Sequence, residues 1–187
     1  KHVVLMDFGE KANIQHELIK RGCKVTVVPS YTKASEILAM NPDGIMLSNG
    51  PGDPAENVEV IEEIKALVES KTPIFGICLG HQLTALSQGA TTSKLKYGHR
   101  GGNQPVKEVE TGRVYISSQN HGYAVDTESL PAHAELSWVN VNDGTCEGVS
   151  YKNAPVYTVQ FHPEACGGPQ DTMFLFDKFI NVMGGTK

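Results

Sequence analysis

The sequence predicts an α/β fold: an open, mostly parallel sheet covered by helices, with a later, more antiparallel β portion. Three observations support this. The first ninety residues alternate short β-branched runs with helix-period patterns. The strands of that stretch are apolar throughout, as strands covered on both faces are. From 91 to 161 the helical period disappears and strand-like runs are punctuated by turn residues.

In chain order, "HVVLMDF" (2–8) is a buried strand and "NIQHELIKRG" (13–22) a helix stopped by Gly22. "KVTVVP" (24–29) is the second strand, and "TKASEILAM" (32–40) a helix with Thr32 as its expected cap. "GIMLSNG" (44–50) is a third strand. "NVEVIEEIKALVES" (57–70) is a helix whose Val60, Ile61, Ile64, Leu67 and Val68 share one face. "PIFGI" (73–77) is a fourth strand, leading into a helix over 79–87. Beyond it, 113–119, 134–141, 145–152 and 156–161 read as strands, with "NDG" (142–144) as a turn and 97–106 as a loop. "DTMFLFDKFINVM" (171–183) is a closing amphipathic helix.

The 187 residues suit one domain. With 16 basic and 21 acidic residues the net charge is −5, without a basic cluster. That argues against nucleic acid and anionic membrane as partners. No run approaches the ~18 apolar residues a membrane helix needs, and no signal-peptide pattern is present. The four cysteines, at 23, 78, 146 and 166, form no C-x-x-C pair and imply neither a zinc site nor a disulfide framework. Free thiols suit a reducing compartment, so the expected location is the cytoplasm. The chain opens on Lys1 and enters a strand at His2, which suggests a piece of a longer protein.

Chemistry in open α/β sheets gathers beyond the carboxyl ends of the strands. "GICLG" (76–80) has the form of a nucleophile elbow with cysteine in place of serine. A sharp strand-to-helix turn holds Cys78 in a strained conformation, flanking glycines let neighbouring backbone pass close, and the helix N-terminus favours thiolate over thiol. The amide of Leu79 then faces any oxyanion formed at the sulfur. Taken alone, the elbow also suits a structural cysteine at an ordinary turn.

"VQFHPEA" (159–165) ends a strand at His162, with Glu164 two residues on. In extended chain those side chains face the same way, and a carboxylate there can orient the imidazole. His81 is the nearer candidate base for Cys78. Yet it has no carboxylate close in sequence, and a helix N-terminus disfavours the imidazolium a proton relay requires. A structural role suits it better. "SNGPGDP" (48–54) exposes backbone amides after a strand but lacks the G-K-[ST] of a P-loop. In "SSQNHGYAVD" (117–126), His121 reads as a satisfied loop histidine.

Together these motifs resemble the class I glutamine amidotransferases, whose fold is flavodoxin-like. More narrowly they resemble the glutaminase domain of the carbamoyl-phosphate synthetase small subunit. The resemblance rests on "DFGEKANI" (7–14), "LSNGPGDP" (47–54), "GICLGHQ" (76–82), "YGHRGGNQPV" (97–106), "SQNHGYAVD" (118–126) and "VQFHPEACGGPQD" (159–171), and spans essentially the whole chain. It implies that residues 1–187 form a glutaminase domain lacking the small subunit's N-terminal domain. It also implies hydrolysis of glutamine to glutamate and ammonia, with the ammonia delivered to the synthetase large subunit. By residue, it implies Cys78 as nucleophile, His162 as base and Glu164 as the orienting acid. Gly52 and Leu79 match the oxyanion-hole backbone, and Gly50, Gln82, Asn120, Gly122 and Tyr123 match glutamine-binding positions. No metal or organic cofactor is expected for this half-reaction; ATP and bicarbonate chemistry would belong to the partner. Two alternatives stand beside this reading: an amidotransferase subunit of the anthranilate synthase type, and a non-catalytic flavodoxin-like binding module.

Overall fold

The structure is a computed structural model that describes residues 1–9, 12–165 and 172–184. Four strand–helix units come first. They are β1 (His2–Asp7) with α1 (Ala12–Lys20), β2 (Lys24–Pro29) with α2 (Ala34–Ala39), β3 (Gly44–Leu47) with α3 (Val58–Glu69), and β4 (Ile74–Ile77) with α4 (Leu79–Ser87). Five strands follow: β5 (Thr92–Glu108), β6 (Val114–Val125), β7 (Ala134–Asn140), β8 (Cys146–Tyr151) and β9 (Val156–Val159). Helix α5 (Phe174–Met183) comes last.

All nine strands join one sheet in the order β2-β1-β3-β4-β9-β8-β7-β5-β6. Its first five members pair in parallel, the order of a flavodoxin-like doubly wound sheet. From β9 through β8, β7, β5 and β6 the pairing is antiparallel. The last parallel strand, β9, lies directly against β4, with Val159 opposite Ile77.

The period of two in the strands divides the core between the faces of the sheet. Val4 and Met6 of β1 and Leu47 of β3 pack on one face with Ile37 of α2, Ile64 and Leu67 of α3, and Leu83 of α4. Val3 and Leu5 point the other way and pack with Ile14 and Leu18 of α1 and Phe176 and Phe179 of α5. The strands β3 and β4 are buried along their whole length, which is why their sequences do not alternate.

Three local expectations are corrected. Residues 97–106 are not a loop: they lie inside the 17-residue strand β5, whose partner β6 carries 117–125. Thr32 does not cap α2. Its hydroxyl donates to the Pro29 carbonyl at 2.7 Å, and the cap position is Lys33, which makes no side-chain capping bond. Strand β9 ends at Val159, so His162 lies three residues beyond it. Helix α1 ends as expected, with Gly22 at φ +84° just past it. The last helix begins at Phe174; Asp171, where it was expected to start, lies outside the described residues.

Candidate functional site

Strand β4 hands the chain to α4 at Cys78, which has φ 54° and ψ −105°. That backbone conformation costs a non-glycine residue about 1–3 kcal/mol and persists only where surrounding structure enforces it. Here the Cys78 N–H donates to the Val159 carbonyl of β9 at 2.9 Å, and the Gly80 N–H to the Ser48 carbonyl at 3.1 Å. Gly80 is required by contact. A Cβ there would meet the Leu47 carbonyl carbon and Cβ, each at 2.8 Å, with the carbonyl oxygen closer still. We expect Gly80→Ala to destabilise the fold by roughly 1–3 kcal/mol, because the clash outweighs alanine's helix preference of about 1 kcal/mol. Urea denaturation should show a lowered midpoint; an unchanged or raised midpoint would mean that α4 shifts away from β3 without cost.

The loop after β3 is tied to the end of β1. The Phe8 N–H donates to Ser48 Oγ at 2.9 Å, and Ser48 Oγ donates to the Asn49 carbonyl at 2.9 Å. Gly50 packs against the Phe8 backbone with no room for a side chain, and Gly52 sits at φ +94°. This loop forms one wall of a cleft of about 550 Å³. Cys78 and His162 line it together with Gly50 and Gly52 of this loop and Asn120, Gly122 and Tyr123 of β6. Leu79, the first residue of α4, presents an N–H from a helix turn that has no intrahelical acceptor.

His162, the histidine expected to serve Cys78, lies in the same cleft. His162 N–H donates to the Ser118 carbonyl of β6 at 2.9 Å, so β6 holds this segment after β9 has ended. His162 Nδ1 lies 2.6 Å from Glu164 Oε1, and the ring also hydrogen-bonds Cys78. With Nδ1 donating to the carboxylate, Nε2 is left for the sulfur. Burial alone would lower the His162 pKa; the bonds to Cys78 and Glu164 outweigh it and raise it to about 9. Glu164 is fully buried, and the Asn13 side-chain amide donates to its backbone carbonyl. Thiol, imidazole and carboxylate thus stand in the sequence that nucleophilic acyl transfer uses.

The surroundings of His81 differ from those of His162. It is fully buried, its Nδ1 pairs with Thr158 Oγ1 at 2.8 Å, and burial lowers its pKa to about 3. The imidazole is neutral and structural.

Two features were missed. Gln160 donates through Nε2 to Cys78 Sγ at 3.5 Å and accepts from Gln82 Nε2 at 2.9 Å. It lies two residues before His162, so the period-two step that pairs His162 with Glu164 also reaches back to it. Second, His121 is not in a loop but on β6, with Nε2 3.2 Å from His99 Nδ1. Among the described residues His99, His121 and Glu147 are the group with metal-compatible spacing, their ligand atoms lying within 4.8 Å of one another. The hydrogen bond to Glu147, with a second to Asp143, outweighs burial and raises the His99 pKa to about 9. No helix among the described residues is long and apolar enough to cross a membrane.

The fold and this cleft define a class. The class-I glutamine amidotransferase family model matches residues 4–182, and the chain belongs to that family. Its relatives narrow the comparison. The carbamoyl phosphate synthase small chain of Fusobacterium nucleatum is 59% identical over 181 residues, covering 96% of this chain and 50% of the relative. That of Symbiobacterium thermophilum is 55% identical over 182 residues, covering 97% and 50%. The chain therefore spans about half the length of the curated relatives it matches. Among solved structures, a Thermoplasma acidophilum protein described as a GMP synthase subunit superposes with a TM-score of 0.85. It is 24% identical and covers 98% of this chain and 94% of its own. A glutamine amidotransferase of Thermotoga maritima gives 0.70 at 18% identity, covering 88% and 76%. At these identities the two structures bear on the fold alone.

Proposed function

We propose that this chain is the glutaminase domain of a carbamoyl-phosphate synthetase small chain. It would hydrolyse glutamine through a Cys78 thioester and supply the ammonia to a synthetase large subunit. The observation that carries the reading is the buried Cys78–His162–Glu164 array opening into a cleft between a glycine loop and β6. The identity of 55–59% to small chains supports the choice of pathway.

The residues divide the reaction as follows. Cys78 sulfur attacks the side-chain carbonyl carbon of glutamine, and the carbonyl oxygen gains charge between the amides of Gly52 and Leu79. Protonated His162 passes its proton to the departing nitrogen as the C–N bond breaks, leaving ammonia and a glutamyl thioester. Water then attacks the thioester, His162 takes the water's proton, and the C–S bond breaks to release glutamate and the thiolate. Gly50, Gln82, Asn120, Gly122 and Tyr123 would hold the amino-acid end of the substrate. No step uses a metal or organic cofactor; ATP and bicarbonate belong to the large subunit. The free, buried thiols of Cys23, Cys78 and Cys146 fit a reducing compartment, which supports the cytoplasm as location. A glutaminase assay is the direct test, and absence of glutamate release from the assembled synthetase would refute the assignment.

The two-sided oxyanion site predicts control by the partner. Gly52 and Leu79 sit on separate segments, and an error of about 1 Å in their approach can cost ~10²-fold in rate. Binding of the large subunit should therefore raise kcat for glutamine hydrolysis, with a smaller effect on KM. Steady-state kinetics of the full-length small chain, with and without its partner, measure this. An unchanged kcat at saturating partner removes the idea.

A further inference from the structure

Three strands of the antiparallel half-sheet bring nitrogen and oxygen donors to one point that the hydrolytic steps do not use. His99 of β5 and His121 of β6 are each 7% exposed, and Glu147 of β8 is fully buried. His99 Nδ1 lies 3.2 Å from His121 Nε2 and 3.3 Å from Glu147 Oε1. The ligand atoms of all three residues lie within 4.8 Å of one another. Four donors held about 2.0–2.1 Å from a zinc ion stand about 3.3 Å apart along the edges of their tetrahedron, so the two separations at His99 are those of neighbouring ligands.

The far nitrogens of both rings are held as a metal site requires. His99 Nε2 lies 2.6 Å from Asp143 Oδ2 in the β7–β8 turn, and His121 Nδ1 donates to the Tyr123 carbonyl at 2.7 Å. A carboxylate or backbone carbonyl on the far nitrogen orients the ring and turns the near nitrogen's lone pair toward a cation. Burial lowers the His121 pKa to about 4, so that ring is neutral and its Nε2 is an acceptor. Yet Nε2 faces a second acceptor, Gln119 Oε1, at 2.7 Å. The amide is fixed that way round. Ser117 Oγ donates to the Gln104 carbonyl at 2.8 Å, so it accepts from Gln119 Nε2 at 3.1 Å and turns Oε1 toward His121. Glu147 Oε2, also buried, has no hydrogen-bond partner among the described residues. One proton on His99 Nδ1 serves Glu147 or His121 and leaves the Gln119 oxygen against a lone pair; a divalent cation meets all four donors at once.

We propose that His99 Nδ1, His121 Nε2 and the Glu147 carboxylate bind a zinc-class divalent cation that joins β5, β6 and β8 in the wall of the cleft, with Gln119 Oε1 as the fourth donor. Two imidazoles and one carboxylate suit zinc and its neighbours among the transition metals, and are a poor set for magnesium or calcium, which take oxygen ligands. The ion takes the place of the proton that His99 Nδ1 shares with Glu147, and that proton leaves to solvent. His121 lines the cleft, so the cleft itself is the ion's way in. The role is structural: the ion ties together three strands that otherwise meet here through hydrogen bonds alone, and it takes part in no hydrolytic step.

The site stands on the fold and does not depend on the glutaminase reading, so its test needs no substrate. The probe is Zn2+ alone, added to the untagged full-length small chain carrying Cys78→Ser, which removes the thiol of the cleft as a competing ligand. Equilibrium dialysis with metal analysis should find one ion per chain at micromolar free Zn2+, undisturbed by a large excess of Mg2+. Asp143→Asn, which weakens the hold on the His99 ring, should lower the affinity roughly 10- to 100-fold, the usual cost of losing an outer partner of a ligand. Glu147→Gln, which keeps the shape and removes the charge, should lower it further. Zn2+ should raise the thermal midpoint of the parent chain and leave that of Glu147→Gln unmoved. Co2+ in place of Zn2+ should give the visible absorption of a four-coordinate site without a thiolate charge-transfer band. Circular dichroism of the metal-free variants checks their folding; if buried Glu147→Gln does not fold, Asp143→Asn, on a half-exposed turn, carries the test. Absence of stoichiometric Zn2+ binding, an affinity indifferent to Asp143→Asn, equal binding of Mg2+, or a thiolate band with Co2+ overturns the proposal.

Discussion

The Cys78→Ser variant should fold normally and hydrolyse glutamine at no more than a few per cent of the wild-type rate. The exchange replaces one atom by a smaller one in a turn held by backbone bonds, from the Cys78 N–H to the Val159 carbonyl and from the Gly80 N–H to the Ser48 carbonyl. The elbow conformation therefore survives. What is lost is the attacking anion, since a hydroxyl holds its proton far more tightly than a thiol. Removing the nucleophile of a working triad costs on the order of 10⁶ in kcat in a serine protease, so a residual rate above a few per cent would require a different nucleophile. Glutamate release, measured alongside circular dichroism and the thermal midpoint, separates a dead site from an unfolded chain. A variant that unfolds, or one that retains substantial activity, would each count against this account of the elbow.

Replacing His162 should have the next largest effect. His162→Asn removes the proton carrier between Cys78 and the leaving nitrogen and should lower kcat by roughly 10²–10⁴, the span of a general acid–base. The same substitution at His81 should leave kcat close to wild type and act on stability, costing about 1–3 kcal/mol for a buried pair with Thr158. The reverse ranking would reassign the base. The pH profile gives a second check. With the His162 pKa raised to about 9, the imidazolium persists through neutral pH and is lost as pH rises past that value. The kcat/KM of the wild type should accordingly hold a plateau through neutral pH and fall on an alkaline limb near 9. An alkaline limb near 6.5, the ordinary histidine value, would mean the bonds from Cys78 and Glu164 do not operate in solution.

The parallel half of the fold was legible because each strand is buried on both faces and each helix carries one apolar stripe. Ile64, Leu67 and Val68 of α3 are buried as their spacing required. The grouping of Cys78, His162 and Glu164 was legible for a local reason too: Cys78 is marked by flanking glycines, and His162 and Glu164 by a step of two. Strand β5 was not legible. Only His99 and Val106 of its 17 residues are buried, so it shows neither alternation nor an apolar run. Its pairing with β6 and β7 supplies what its own sequence lacks. The partners of His99 come from a turn and a third strand, and no spacing along the chain announces contacts of that kind. Gln160 was within reach of the period-two argument and was passed over, because an amide in a strand has no motif of its own.

The adjacency of β4 and β9 has a consequence for how the protein is made. The thiol and the imidazole come from the two sides of one seam in the middle of the sheet, yet β9 is the last of the described strands in chain order. The seam closes only after the eight described strands before β9 have been synthesised, and it does so against the loop-closure cost of a long intervening chain. A nascent or truncated chain that stops short of β9 exposes the edge of β4 and carries a cysteine with no proton donor beside it. The order of synthesis thus withholds the grouping of Cys78, His162 and Glu164 until the nine-stranded sheet is complete.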